Sequence, residues 1–358
     1  MTMAIARCES FGSFRDIWSA LEADYGDRTW LIVIDRNLLR ANDGVLRGLG
    51  RRRRRGLVDL VGGERVKTLR RIDDLARGAR EVGLARDGLV VAVGGGTVGD
   101  LAGFFASMWM RGVDWIPVAT TTLSIADSAV GGKTAVDWAG LKNQLGAFHD
   151  PVRVLAVEEA LRTLPMRHYR AGLAEVAKSA VIADARLFGI LEKEAEALRK
   201  GRSERVLELL GRASAIKARI VARDPREQGV RAWLNFGHTV GHALESTCRP
   251  RLYHGEAVAA GMIAASWLSE CLIAAPSGMT DRIVELLRRM GTLRTLSSLD
   301  DGALRAAMAA DKKSRRGRLR VVLTPRIGVA TVADLPPAAM MREAVQQMQR
   351  RCTPRRGE

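Results

Sequence analysis

Residues 89–108 read LVVAVGGGTVGDLAGFFASM, and the rest of the chain is organised around them. Leu89–Val93 is a continuous apolar run, which predicts a strand buried on both faces. Three glycines, Gly94 to Gly96, follow the strand, and a helix-like run, Leu101–Met108, comes next. A strand, a glycine turn and a helix N-terminus bind a pyrophosphate well, because free backbone N–H groups and the positive end of the helix dipole face the ligand.

The glycine spacing leaves two interpretations open. GGGxxGD differs from the GxGxxG fingerprint of dinucleotide-binding turns, so a tight strand–helix turn without a ligand is the alternative. Further along, VGGKT (130–134) resembles part of a P-loop, but Asp127 stands where GxxxxGK(S/T) requires its first glycine. The sequence therefore excludes a P-loop ATPase and keeps the dinucleotide turn as a hypothesis.

Length and composition predict two domains and no membrane segment. The chain has 358 residues, against a usual domain size of ~150. No apolar run reaches the ~18 residues that span a bilayer. The start, MTMAIARCESFGSF, lacks the pattern of a signal peptide, so we expect a cytoplasmic protein.

No two cysteines have metal-site or redox spacing, so we interpret all four as reduced and structural: Cys8, Cys248, Cys271 and Cys352.

The chain is strongly basic, with a formal net charge of +17. The excess is spread along the whole chain, and no nucleic-acid-binding motif accompanies it. We therefore interpret the arginine run Arg51–Arg55 as a solvated face. Part of the positive charge would suit an anionic substrate, which needs fixed cations around it.

Strand-like and helix-like segments alternate over the first 160 residues. Ser13 is expected to cap a first helix, Phe14–Ala23. The alternation predicts an α/β domain with a mainly parallel sheet over residues 1–160. Its expected strands are Trp30–Ile34, Leu57–Val61, Leu89–Val93, Trp115–Val118 and Val154–Val157.

From about Leu161 the pattern becomes helical. Only Leu319–Leu323 looks like a strand, so we expect a mostly α-helical C-terminal domain over residues 161–358. A cleft between the two domains is the natural place for a site. The expected helices are His168–Ala183, Ala185–Arg199, Ser203–Arg223, Ala232–Glu245, Glu256–Ala274, Thr280–Met290 and Asp301–Ala310.

The histidines predict a metal site in the helical half. His238 and His242 lie four residues apart and share one helix face, and His254 opens the next helix. Glu175 and Lys178 lie three residues apart on a third helix. Imidazoles and a carboxylate that converge from separate helices can hold zinc with an open position for substrate. Spacing alone would pair His238 with His242, although such a pair also arises by chance.

Several cations accompany these groups, and each alone would be interpreted as a solvated charge. Together with a dinucleotide turn and a zinc-type set, they suggest oxidation of an alcohol on an anionic substrate. They are Lys133, Lys142, Lys178, Lys217, Lys312, Lys313, Arg111 and Arg231.

Motifs over about residues 57–325 together resemble the 3-dehydroquinate synthases of the sugar phosphate cyclase family. The resemblance implies a Rossmann-like domain, a helical domain, a homodimer, NAD and one divalent metal, usually zinc or else cobalt. The motifs, in the family's order, are GGGTVGDLAGFFAS, RGVDWIPVATTTL, DSAVGGKTAVD, LKNQLGAFHDP, GLAEVAKSAVI, LNFGHTVGHALE, HGEAVAAGM and DKK.

Positions that match the family's motifs imply site residues. The implied metal ligands are Glu175, His238 and His254, and the family's motif implies that His242 is a catalytic, phosphate-contacting group. The implied NAD contacts are Asn37, Gly62, Gly63, Glu64, Arg65, Val66, Lys67, Gly96, Thr97, Val98, Gly99, Asp100, Thr120, Thr121, Lys133, Lys142, Ala160, Leu161, Arg162 and Thr163. The implied substrate contacts are Asp127, Lys133, Asn143, Lys178, Lys217, Arg231, Asn235, His242 and Lys312, with Arg111 reaching the neighbouring subunit's phosphate site.

The resemblance also implies a reaction, the conversion of 3-deoxy-D-arabino-heptulosonate 7-phosphate to 3-dehydroquinate and phosphate in the shikimate pathway of aromatic amino acid biosynthesis. The C5 hydroxyl is oxidised with NAD, phosphate is eliminated, the ketone is reduced again, and an intramolecular aldol step closes the ring. NAD is not consumed. The cations suit a substrate that carries a carboxylate and a phosphate.

Two stretches depart from the family pattern, and three rival functions remain. Ala119 stands where the family usually has proline, and Ala135-Val136-Asp137 stands where it usually has Gly-Ile/Val-Asn. The extra carboxylate of Asp137 near the proposed anion site leaves the precise substrate open. The rivals are a paralogous cyclase that makes an amino-dehydroquinate or a cyclitol, a metal-dependent polyol dehydrogenase that releases NADH, and a basic nucleic-acid-binding or scaffold protein. The last leaves the whole set of site residues unexplained.

Overall fold

The computed structural model describes residues 6, 8–42, 54–296, 299–300, 302–304, 306–308 and 320–353. The chain divides into two compact units, Met1–Pro165 and Met166–Glu358. Among the described residues, no helix has both the length and the apolar character needed to cross a bilayer.

The first unit is built on a six-stranded sheet in the order β1-β8-β5-β4-β2-β3, with every neighbouring pair parallel. Its strands are β1 (Cys8–Phe11), β2 (Trp30–Asp35), β3 (Arg55–Leu60), β4 (Leu89–Gly94), β5 (Asp114–Ala119) and β8 (Val154–Val157). Its helices are α1 (Phe14–Tyr25), α2 (Arg36–Ala41), α3 (Leu69–Val82), α4 (Gly96–Met108) and α5 (Glu158–Thr163). The predicted parallel α/β fold is confirmed.

Continuous apolar strands form here because helices cover both faces of the sheet. In β2, Trp30, Ile32 and Ile34 enter one buried cluster, and Leu31 and Val33 enter another. Successive strand side chains point to opposite faces, so a strand buried on both sides must be apolar at every position.

Strand β2 lies between β3 and β4 in the sheet. The chain passes from β2 to β3 on one side of β2, and the next strand, β4, lies on the other side of β2. This reversal of strand order is a topological switch point. Open α/β sheets bind ligands at the carboxyl ends of the strands that flank such a point. Here these ends carry Asp35–Asn37 and the glycine turn Gly94–Gly96.

Sequence reasoning missed three strands of the first unit. One is the edge strand β1, and the others form an antiparallel hairpin, β6 (Lys133–Trp138) and β7 (Leu141–Phe148). β7 is mostly exposed and lacks a clean apolar alternation, so the period-2 signal is absent.

Arg55 corrects the interpretation of the arginine run. It begins β3, is 7% exposed, and lies over the Trp30 ring at 3.7 Å from the centroid. Its guanidinium donates to the Gly26 carbonyl and pairs with Glu22 at 3.2 Å. A solvated face is therefore wrong for Arg55, while Arg51–Arg53 lie outside the described residues.

In the part of the second unit that the structure describes, helices accompany one antiparallel hairpin. Its helices are α6 (Met166–Ala183), α7 (Ala185–Arg199), α8 (Val206–Arg223), α9 (His238–Thr247), α10 (His254–Leu272), α11 (Met279–Arg289) and α12 (Ala338–Cys352). The hairpin is β9 (Arg320–Arg326) with β10 (Val329–Asp334). Helix α10 is almost wholly buried, and α6, α9, α11, α12 and β9 pack around it.

One sequence expectation is wrong in this unit, two elements were missed, and one expected helix is only partly described. Strand β10 and helix α12 were not predicted. The helix expected over 232–245 is broken, because a 3-10 turn (Val230–Asn235) is followed by Gly237 at φ 79° before α9 begins. The expected helix 301–310 is only partly within the described residues, and Leu319, Lys312 and Lys313 lie outside them.

Candidate active site

Three helices of the second unit bring Glu175, His238 and His254 together. Their nearest ligand atoms all lie within 4.8 Å of one another. His254 Nε2 is 3.3 Å from Glu175 Oε1, and His238 Nε2 is 3.8 Å from the same oxygen. This cluster of two imidazoles and a carboxylate is called the triad below.

The triad forms because both histidines are the first residues of their helices. His238 opens α9 directly after the left-handed Gly237, and His254 opens α10. Gly255 lets α10 approach α6 closely, since a Cβ at this position would collide with the Ala171 carbonyl oxygen. The side chain of the first residue of a helix lies at the helix end, where it can contact groups from other helices.

Glu175 is fully buried and lies 2.5 Å from the Lys178 ammonium, which is also buried. Burial alone would raise the pKa of Glu175, but Lys178 and the two histidines hold that pKa well below its usual value. The two oxygens of Glu175 face the Lys178 ammonium and both imidazoles. A buried carboxylate in this setting has lone pairs that can bind a cation.

The two imidazoles present Nε2 to Glu175 and turn Nδ1 away. His238 Nδ1 lies 3.2 Å from the Phe236 carbonyl oxygen, and His254 Nδ1 lies 3.1 Å from Glu245 Oε2. Burial, followed by the charge of Lys178, lowers the pKa of His238 well below its usual value. Burial would also lower the pKa of His254, but Glu175 and Glu245 raise it to about 10.

The donor set therefore fits a divalent cation. The carboxylates of Glu175 and Glu245 lie 3.3 Å and 3.1 Å from the two ring nitrogens of His254, so the site carries negative charge that a cation can offset. Two imidazole nitrogens and one carboxylate are also a usual three-ligand set for a catalytic metal that keeps an open position.

His242 lies beside the triad but does not complete it. Its ring centroid is 5.1 Å from that of His238 and 6.0 Å from that of His254, and the side chain is exposed. The pairing of His238 with His242 that spacing alone suggests is replaced by His238 with His254. Sequence spacing could not reveal the pairing of His238 with His254, because the first residues of α9 and α10 come close together only when the chain folds.

Other predicted substrate residues lie on the segment that leads to α9. Arg231 is 3% exposed, and its backbone N–H donates to Asp224. The amide of Asn235 donates to Glu227 Oε1 at 2.8 Å. Lys217 lies on α8, which packs against this turn, and Lys312 lies outside the described residues.

Glu227 was missed by sequence reasoning. It has φ 57°, a left-handed conformation that is uncommon for a residue with a side chain. Backbone strain of this kind is concentrated at functional sites. The sequence offered only a weak signal, a carboxylate between two predicted cationic positions.

In the first unit, Lys67 gathers several predicted residues. Its ammonium is 2.7 Å from Asp100, 3.8 Å from Glu64, and donates to the amide oxygen of Asn143. Burial would lower the pKa of Lys67, but Asp100 in particular raises it. Lys142 lies 3.6 Å from Glu64. Residues predicted for NAD and for substrate thus share one charged cluster.

The hairpin residue Asp137, one of the two departures, supports this cluster. Its carboxylate accepts the backbone N–H of Asn143 at 2.8 Å, and its own N–H donates to the Lys67 carbonyl. Asn143 has φ 54°, so this hydrogen bond holds a strained backbone. Asp137 therefore has a structural role that needs only a side-chain oxygen. Ala119, the other departure, ends β5 in the core.

The glycine turn forms a small pocket. Gly95 caps α4, and the Val98 and Gly99 N–H groups turn back to its carbonyl. Asp127 lies in the π-helical turn Ser124–Ser128, and the Thr120 N–H donates to Gly94. The pocket is lined by Ala92, Gly94, Gly95, Gly96, Gly99, Asp100, Trp115, Pro117, Ala119, Ser124, Ser128, Ala129, Gly132 and Lys133.

The remaining predicted NAD residues lie at other strand ends. Asn37 is the second residue of α2 and donates its N–H to the Asp35 carboxylate, Gly62 to Lys67 follow β3, and Thr121 hydrogen-bonds Ser124. In α5, Ala160 packs into the core, Leu161 is buried and Arg162 is exposed, while Thr163 bonds within its own helix.

Arg111 ends a strained turn after α4. Met110 has φ 47° and Arg111 has φ 70°, so two consecutive residues with side chains are left-handed. Arg111 is exposed, and Phe148 on β7 is 63% exposed. His149 Nε2 lies 2.8 Å from the Val113 carbonyl oxygen, which fixes the end of β7 beside this turn.

Two family profiles match consecutive parts of the chain. One, described as 3-dehydroquinate synthase N-terminal, matches residues 57–171, and the other, 3-dehydroquinate synthase C-terminal, matches residues 172–314. Among curated relatives, the 3-dehydroquinate synthase of Nostoc punctiforme is 44% identical over 290 residues, which is 80% of each chain.

Solved structures of related enzymes share the fold. The 2-epi-5-epi-valiolone synthase of Streptomyces hygroscopicus, solved with NAD⁺ and Zn²⁺, has a TM-score of 0.86 at 26% identity over 97% of each chain. A 2-deoxy-scyllo-inosose synthase has a TM-score of 0.83 at 23% identity, covering 96% of this chain and 98% of its own. The triad, the glycine turn and these matches agree, and the chain belongs to the 3-dehydroquinate synthase family.

Proposed function

We propose that the chain is a carbon–oxygen lyase that converts 3-deoxy-D-arabino-heptulosonate 7-phosphate to 3-dehydroquinate and phosphate. The observation that carries the proposal is the Glu175–His238–His254 triad, in which Glu175 and the neighbouring Lys178 are buried. The 44% identity to a 3-dehydroquinate synthase supports the reaction over that of the valiolone synthase, whose identity is 26%.

NAD and a divalent cation, zinc or cobalt, belong to this proposal. Glu175, His238 and His254 would hold the cation, and the glycine turn with the Lys67 cluster would hold NAD. When bound, the pair supplies reversible hydride transfer and polarises the substrate hydroxyl. The NAD⁺ and Zn²⁺ of the valiolone synthase support the assignment.

The chain's own residues would then bind the anionic groups and move protons. Lys178, Arg231 and Asn235 would fix the phosphate and carboxylate, together with the predicted Lys133, Asn143, Lys217 and Lys312. Asp127 is a further predicted substrate contact. His242, exposed next to the triad, is the group best placed to exchange a proton there. Oriented cations in these positions would stabilise the oxyanions that develop during elimination and aldol closure.

A homodimer in the cytoplasm completes the proposal. Exposed apolar side chains accompany the strained Arg111 turn, and apolar area of this kind is typical of protein interfaces. They are Met108, Met110, Trp138, Leu141 and Phe148. Arg111 would reach the phosphate site of the second subunit.

The experiment is phosphate release from two substrates in parallel. Purified protein with Zn²⁺ and NAD is given the heptulosonate 7-phosphate or sedoheptulose 7-phosphate, and products are identified by mass spectrometry. Release from the heptulosonate alone, with dehydroquinate as product, is expected. Release only from sedoheptulose 7-phosphate would move the protein to a cyclitol-forming reaction, and release from neither would overturn both.

A further inference from the structure

The half-buried carboxylate of Glu245 belongs to the metal site although it is outside the triad. Glu245 follows His238 by seven residues on α9, almost two full turns, so both side chains share one helix face. Its Oε2 lies 3.1 Å from His254 Nδ1, and its side chain is 15% exposed. Two helices are thereby joined at the ligand itself.

The two ring nitrogens of His254 face different carboxylates. Nε2 is 3.3 Å from Glu175, inside the triad, and Nδ1 is 3.1 Å from Glu245, outside it. In a neutral imidazole one nitrogen carries the hydrogen and the other has the lone pair. A carboxylate that accepts from Nδ1–H leaves the Nε2 lone pair directed at the triad.

From this geometry we infer that Glu245 is a positioning residue that fixes the orientation and tautomer of His254 for metal binding. The inference rests on the metal site of the proposed function. The corresponding nitrogen of His238 is held by the Phe236 carbonyl oxygen, which a side-chain substitution cannot remove. Each imidazole thus has an oxygen partner at Nδ1, and only the partner of His254, the Glu245 side chain, can be removed by substitution.

The test measures Zn²⁺ affinity by competition with a chromogenic chelator, without substrate or NAD. Glu245→Ala is expected to weaken Zn²⁺ binding by about 10- to 100-fold, the usual effect of losing such a partner. Glu245→Gln keeps an oxygen that accepts from Nδ1–H, so it should recover most of the affinity. Glu208→Ala is the matched control, because it removes an exposed carboxylate on α8 that pairs with Arg205, the residue before the helix. This variant should bind Zn²⁺ as wild type does.

A second readout separates positioning from general destabilisation. The rise in Tm between chelator-treated and Zn²⁺-loaded protein should be smaller in Glu245→Ala than in wild type and largely restored in Glu245→Gln. Wild-type affinity in Glu245→Ala, or equal losses in the Ala and Gln variants, would overturn the inference. Failure of the metal site itself would look different, because wild type and Glu175→Ala would then bind Zn²⁺ equally weakly.

Discussion

At the residue scale, the buried pair of Glu175 and Lys178 determines the charge of the triad. Both side chains are almost fully buried, and the pair is 2.5 Å apart. Removing one partner of a buried pair leaves an uncompensated charge, which costs about 3–5 kcal/mol. A divalent cation on the triad would offset the remaining carboxylate.

Lys178→Met should therefore lower the Tm of chelator-treated protein strongly, and added Zn²⁺ should raise it by more than in wild type. Lys193→Met, at an exposed position on α7, is the control and should change neither value. Differential scanning fluorimetry measures both. An equal Zn²⁺ response in wild type and Lys178→Met would contradict this account of the triad's charge.

Asp184 is a second residue whose charge is measurable. It caps α7 through the Leu187 N–H and pairs with Arg212 on α8 at 2.8 Å. Burial would raise the pKa of Asp184, but these two contacts lower it below its model-peptide value of 3.8. Its stabilising effect is therefore present above pH 3.8 and is lost as the pH falls through the lower folded-state pKa.

Asp184→Ala should cost about 1 kcal/mol, mainly through the lost cap. The difference in unfolding free energy between wild type and variant should stay constant near neutral pH and shrink under acid conditions. Chemical denaturation at several pH values measures it. A difference in unfolding free energy that grows as the pH falls would show that the pKa of Asp184 is not lowered in the folded state.

At the element scale, close helix packing brings the ligands together. Gly255→Ala would push the start of α10 away from α6, so we expect a loss of about 1–3 kcal/mol and weaker Zn²⁺ binding. Gly189→Ala in α7 is the matched control, because its Cβ would meet nothing within 4 Å. That control should be neutral or stabilising, since alanine favours helices. Unchanged Zn²⁺ affinity in Gly255→Ala would contradict the packing argument.

Elements also show what the sequence could reveal. The buried strands β2, β4, β5 and β8 were predicted nearly to their ends, because a strand covered on both faces is apolar throughout. The exposed strand β7 and the hairpin partner β10 were missed, because their burial depends on neighbours that periodicity does not report. The Glu245–His254 contact could not be predicted either, since it depends on how α9 packs against the start of α10.

At the scale of the whole molecule, the proposed dimer makes a prediction that a monomer does not. If Arg111 completes the second subunit's site, Arg111→Ala and Glu175→Gln proteins should each be nearly inactive alone. Mixing them under conditions of subunit exchange should restore phosphate release, because one site of each mixed dimer then has every group. No recovery, with exchange verified by differently tagged chains, would show that Arg111 does not act across the interface.

The most direct test of the central claim is product formation with NAD supplied well below the substrate concentration. The heptulosonate 7-phosphate, Zn²⁺ and protein are incubated, and dehydroquinate, phosphate and NADH are quantified together. We predict equal amounts of dehydroquinate and phosphate, many times the amount of NAD, with no accumulated NADH. NADH that accumulates until NAD is exhausted, without phosphate release, would identify a simple dehydrogenase and contradict the account.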